Sequence, residues 1–171
     1  MAMCMHSNKL RDMNKSYLTI WIAVVGMTLQ SIAQTNRAQP GTPRLNETRF
    51  ETQDYVITTH DVRDYGAVAD DDLDDTPLFQ KAIDACERDG GGVIFVPSGK
   101  YVFRNRLSLK SGVYLRGEWR SPEQGPAKGT LLCVYYGRGN PDGPPFIKTG
   151  FSCGLKDLAI WYPEQDFRNP E

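Results

Sequence analysis

The sequence predicts an all-β chain wound as a solenoid, with one amphipathic helix ahead of most of its strands. Three observations carry this. From Val93 onward, short apolar runs are divided by single Gly, Ser or Pro residues. Few of these breaks are the Asn-Gly or Asp-Gly loops that hairpins favour, so the segments suit successive faces of a coil that turns corners without reversing. The 16 Gly and 11 Pro among 171 residues point to a turn-rich chain rather than a helix bundle. Only Leu78, Phe79, Ala82, Ile83 and Cys86 recur at the three-and-four spacing of a helix face.

The helix has clear boundaries. Pro77 suits the first turn, Asp75 or Thr76 can serve as N-cap, and Asp74 and Asp75 sit at the positive end of the dipole. Gly90-Gly91-Gly92 stops it. Before the helix, Tyr55–Thr58 and Val62 read as short strands. After it come Val93–Val96, Lys100–Phe103, Leu107 with Leu109, Val113–Leu115, Thr130–Tyr135, Phe146-Ile147 and Leu155–Trp161. Val93, Phe95 and Leu115 are expected to line the interior.

The N-terminal 40 residues differ. Lys9, Arg11 and Lys15 precede the uncharged apolar run Tyr17–Leu29, and Ser31 and Ala33 stand at the −3 and −1 positions of a cleavage site. This predicts a secretory signal peptide over 1–33, with Met13 as an alternative start and the mature chain beginning near Gln34. An uncleaved anchor is the alternative, but the run of about 13 residues is short against the roughly 20 needed to span a bilayer. Export implies a secreted, periplasmic or cell-surface protein with no stable membrane insertion after cleavage. The polar stretch 34–54, broken by Pro40, Gly41 and Pro43, is expected to be a flexible linker. Residues 55–171 then form the folded portion.

Charge and composition exclude several classes. The net charge is −1, with no Lys/Arg run, which argues against nucleic acid. Cys4 leaves with the leader; Cys86, Cys133 and Cys153 are odd in number and lack CxxC spacing, so neither a disulfide framework nor a zinc site is expected, one pair remaining open. The chain has 2 His, and His6 lies in the leader, which argues against histidine-based metal sites and triads.

Ordered blocks then match a known family. Asp64-Tyr65-Gly66-Ala67-Val68, the helix after Asp74-Asp75-Thr76, and Gly90-Gly91-Gly92-Val93-Ile94-Phe95-Val96-Pro97-Ser98-Gly99-Lys100-Tyr101 resemble the N-terminal signature of the pectate-lyase-like superfamily, in its pectate lyase 3 or rhamnogalacturonase/epimerase-like branch. Leu109–Glu118 resembles the next coil and Leu155–Ile160 a further one. The resemblance implies a right-handed, single-stranded parallel β-helix of the pectin-lyase type, its first coils closed by an N-terminal capping helix. One departure is Ala69-Asp70-Asp71-Asp72, where the family usually carries Gly; Asp tolerates the left-handed region better than most residues. The resemblance also implies a secreted protein that cleaves a pectin-like polysaccharide, by lyase or hydrolase chemistry. Its catalytic groups would project from coils beyond those seen here, this chain being an N-terminal fragment with little activity alone. The rival reading is a non-catalytic glycan-binding module of the tailspike or adhesin kind; a decayed reading frame is a third. A β-helix ending at Glu171 would leave an open coil end, so the isolated chain is expected to be marginal or aggregation-prone.

Each candidate side chain has two readings. Asp70–Asp75 suggests calcium, but lacks EF-hand spacing, and capping with a solvated turn explains it better. Calcium is implied for some full-length relatives and is not supported by these residues. Gly90–Gly92 follows a helix rather than preceding one, so a helix stop explains it better than a phosphate loop. Trp119, Tyr135, Tyr136, Trp161 and Tyr162 either stack on sugar rings or pack inside. Arg104, Arg106, Arg116 and Arg120 either face an anionic polysaccharide or line a solvated surface diluted by Glu118 and Glu123. Asp157 is a carboxylate near a strand start. No catalytic, cofactor-binding or metal residue is assigned; the expected partner is an acidic polysaccharide, and the oligomeric state stays open.

Overall fold

The computed structural model describes residues 39–52, 54–119, 129–140, 142–165 and 168. The signal peptide expected over 1–33, and also Arg120 and Glu123, lie outside them. The described strands are β1 (Arg44–Leu45), β2 (Ile57–Thr58), β3 (His60–Asp61), β4 (Gly92–Phe95), β5 (Gly99–Phe103), β6 (Leu107–Leu109), β7 (Val113–Arg116), β8 (Thr130–Val134), β9 (Ile147–Thr149), β10 (Gly154–Lys156) and β11 (Ala159–Trp161). Helix α1 spans Thr76–Arg88.

Three sheets are parallel. The first runs β3-β4-β7-β10, the second β5-β8-β11 and the third β6-β9. Each turn of the chain visits the sheets in order, so β4-β5-β6 makes one coil and β7-β8-β9 the next, stacked in register. This is consistent with the expected parallel β-helix.

The coil before these is built differently. It has β3 in the first sheet. Beside the second sheet it lays the acidic segment, Asp74 bridging to Val102 in parallel. Beside the third it lays α1. Gln80 there substitutes for a strand: its Oε1 accepts from Ser108 N–H at 2.9 Å and its Nε2 donates to Ser108 C=O at 3.2 Å. A side-chain amide thus satisfies both backbone groups of Ser108, on β6, that face the helix.

The interior follows from strand parity. Ile94 pairs with Leu115, Tyr101 with Leu132 and Phe103 with Val134, and all six are buried. Phe79, Ala82, Ile83 and Cys86 of α1 close against this stack. The expectation for Val93 and Phe95 is corrected. Both alternate with the inward Ile94, so both face outward, and Phe95 is buried there beneath the Arg63 guanidinium, 6.0 Å from its ring centre.

The linker expectation is also corrected over its described part. Residues 39–52 and 54 form an arm bound to the coils. β1 pairs antiparallel with β2, Gly41 N–H donates to Thr59 C=O, and Asn46 donates to Val56 C=O. The buried Glu118 carboxylate accepts from Arg49 N–H at 2.6 Å and Phe50 N–H at 3.3 Å on one oxygen, and from Ser98 N–H at 3.2 Å on the other. Polarity marked the arm as a linker, but several of its backbone groups pair with the coils.

The acidic run is tied to β5. Asp70 Oδ1 accepts from Lys100 N–H, Asp72 pairs with the Lys100 ammonium, Asp71 turns back to Leu73 N–H, and Asp74 Oδ1 accepts from the Thr76 N–H and hydroxyl and from Arg104 N–H. Asp70 (φ 65°) and Asp72 (φ 57°) adopt the left-handed region, as expected where Asp replaces Gly. Asp75 stands at the N-cap position, but its carboxylate accepts from Val102 N–H at 2.9 Å instead of capping the helix. Asp74 caps in its place.

Burial, with the nearby Asp71 and Asp74 charges, pushes Asp75 up to about 6. The folded state therefore holds this proton more tightly than the unfolded chain. The stabilisation is full below the ordinary value of 3.8 and is lost as pH rises to about 6. Asp75→Asn keeps an oxygen for Val102 and removes the charge. It is expected to be more stable than the parent at pH 7, with the advantage vanishing near pH 4. Asp54, which shifts the other way and does not act on Asp75, cancels in the difference between the two proteins. Melting curves at several pH values read the effect, and a pH-independent difference would mean that this carboxylate is solvated.

Candidate functional site

The outer face of the first sheet carries a row of charged side chains. Register sets Asp61, Phe95, Arg116 and Lys156 in one row across four strands. Asp61 is buried and held by Arg63, whose Nε and Nη2 donate to its oxygens at 3.0 and 2.6 Å. Arg44 donates to Asp64 at 2.7 Å. This end is a closed structural network.

The other end is more open. Arg116 Nη2 donates to Asp54 Oδ1 at 2.6 Å, and Lys156 Nζ donates to Asp54 Oδ2 at 3.2 Å. Hydrogen bonds from Arg116, then Lys156, hold the Asp54 carboxyl below its usual range. Arg116 Nε faces Asp157 Oδ2 at 3.4 Å. Asp157 (φ 57°) sits at the corner between β10 and β11. Gly117 permits that corner, since a Cβ there would lie 2.6 Å from the Asp157 carbonyl oxygen. Two residues before Arg116 on the same face, Tyr114 is half-exposed and its ring lies against Gly154.

The second sheet presents a different surface. Arg104 lies over the Tyr135 ring at 5.3 Å from its centre. Trp161 of β11, half-exposed, pairs with Cys133, which faces outward like Tyr135. Lys100, paired with Asp72, borders the same face.

The structure therefore separates the candidates. Arg104, Tyr135 and Trp161 share one face. Tyr136 packs against the core, while Trp119 and Tyr162 are exposed. Arg116 belongs to the other sheet, and Arg106 is half-buried before β6. Glu118 does not dilute an arginine patch; it is buried and binds the arm. Asp157 lies beside Arg116, its carboxylate 3.4 Å from Nε. Sequence reading missed Tyr114, Lys156 and Asp54; alternation on β7 carried the signal for Tyr114, but the link to Asp54 spans 62 residues and left no trace. Cys86, Cys133 and Cys153 are free thiols, the first two buried.

Stacked coils joined by three parallel sheets define a parallel-sheet solenoid. Residues 59–149 match the family described as rhamnogalacturonase A/epimerase, pectate lyase-like, and the chain belongs to that family. Alginate lyase 7 of Azotobacter vinelandii is 40% identical over 65 residues, 34% of this chain and 8% of that protein. A probable rhamnogalacturonase A of Aspergillus oryzae is 44% identical over 54 residues, 32% of this chain and 11% of that protein. Plasmin and fibronectin-binding protein A of Streptococcus pneumoniae is 33% identical over 86 residues, 50% of this chain and 12% of that protein. The matched region is thus a small part of each of these relatives.

Proposed function

We propose that this chain forms the first coils of an exported right-handed β-helix protein that modifies an acidic polysaccharide, with α1 capping the open end of the solenoid. Family membership over residues 59–149 supports this most directly. The relatives' names add the chemistry: alginate lyases and mannuronan epimerases act on polyuronates. Removal of the proton beside a uronate carboxylate begins both lyase and epimerase reactions, and such a reaction needs cations to hold that carboxylate. The described residues supply binding cations and rings, and no catalytic group is assigned among them.

The native exported product should be incubated with alginate, polygalacturonate, rhamnogalacturonan and a neutral galactan. New absorbance from unsaturated uronate marks a lyase, new reducing ends without that absorbance a hydrolase, and altered C5 configuration by proton NMR an epimerase. Change in at least one acidic polymer and none in the galactan is expected. Tight glycan or host-protein binding without turnover would favour the second reading, a binding module, which rests on the match of half of the chain to the Streptococcus pneumoniae protein. Neither turnover nor binding would sink both.

A further inference from the structure

We propose that Arg116 and Lys156 form a subsite for the carboxylate of a uronate residue, occupied in this structure by Asp54 as an internal stand-in. This rests on the acidic-polysaccharide reading and names the contact that such a chain would make. The two cations stand side by side on neighbouring strands, and each takes one oxygen of a single carboxylate. A planar guanidinium and a lysine ammonium set in this way suit any carboxylate presented along the sheet.

The subsite is preorganised. The Arg116 side chain is only 11% exposed, its Nη2 donates to Asp54 at 2.6 Å, and the Asp157 carboxylate lies 3.4 Å from its Nε. Asp54 by contrast is 54% exposed, in a stretch whose neighbours Glu51, Thr52 and Tyr55 are also exposed. A side-chain swing vacates the site without undoing β1 or the Glu118 contacts. With Asp54 gone, Arg116 and Lys156 against Asp157 leave one uncompensated positive charge, the complement of one carboxylate.

Tyr114 supplies the second half of the contact. It lies on the same outer face, two residues before Arg116, about 7 Å away at strand rise. Its half-exposed ring offers an apolar platform for the sugar whose carboxylate reaches the cations. Asp54 then acts as a competing ligand, lowering apparent affinity by the fraction of time it holds the site.

The test is calorimetric titration of the chain with trigalacturonate, and with galactotriose as the neutral control, for the parent, Asp54→Asn, and Asp54→Asn combined with Lys156→Met. Lys156→Gln replaces Lys156→Met should the latter lower the melting temperature. Asp54→Asn is expected to bind trigalacturonate about tenfold more tightly than the parent. The gain should fall with added salt and disappear when Lys156 is also replaced, with the Arg116 Nε–H resonance shifting during titration. Equal affinity of the parent and Asp54→Asn, a gain that survives loss of Lys156, or an equal gain for galactotriose would overturn the subsite. If the parent binds trigalacturonate and Asp54→Asn binds it no better, the subsite falls and the polysaccharide reading stands. If no variant binds and the native product also leaves every acidic polymer unchanged, the reading falls with it.

Discussion

Replacing Phe79 with alanine is expected to cost about 3–5 kcal/mol of unfolding free energy. Phe79 is fully buried on the inner face of α1. Its ring meets Tyr101 edge-on with centres 5.2 Å apart and Phe103 at 4.9 Å, and Phe103 in turn meets Phe146 at 5.3 Å. The aromatic chain thus runs from the helix through the β4–β6 coil to the end of the next. Its neighbour Leu78 is half-buried, so Leu78→Ala should cost about 1 kcal/mol at the transfer rate for partly buried methylenes. Urea unfolding with an unchanged slope is the measurement. Equal, small losses at both positions would mean that α1 is an appendage rather than the closing element of the interior.

The second large effect is expected at Glu118. Glu118→Ala strands the Arg49, Phe50 and Ser98 N–H groups, and should cost about 2–4 kcal/mol, on the order of one to three per buried unsatisfied group with some recovered by water. The arm should also loosen, so trypsin cleavage after Arg49 is expected to speed up by about tenfold, matching roughly 1.4 kcal/mol lost from local opening. Glu118→Gln, which keeps one acceptor oxygen but turns an NH2 toward donors, should fall between. An unchanged cleavage rate in Glu118→Ala would show that the β1-β2 pairing holds the arm by itself.

Most local structure was legible because its causes are local. The apolar stripe, Pro77 and the Gly90–Gly92 stop placed α1 within a residue or two of Thr76–Arg88. The tolerance of Asp for the left-handed region anticipated Asp70 and Asp72. The family signature over Asp64–Tyr101 was readable because turn, helix and strand fall in a fixed order.

What failed shares a different cause. Val93 and Phe95 were assigned inward because a fully apolar strand, Val93–Val96, gives no alternation; which side faces in is set by stacking Ile94 on Leu115. Asp75 was read as a cap, but Val102, 27 residues on, claims its carboxylate. The arm was read as a linker because its partners, Glu118 above all, lie in another coil.

The sequence alone therefore determined where the helix and the strands after it fall, and the family to which they belong, since propensity, turn chemistry and block order act over a few residues; before the helix, Val62 was read as a strand and instead opens a 3-10 turn over Val62–Tyr65. The tertiary structure decided which faces are interior, where the arm binds, and that Arg116, Lys156 and Asp54 meet. Those outcomes depend on coil-to-coil register, and loops of unequal length between stacked strands hide that register from any fixed period in the chain.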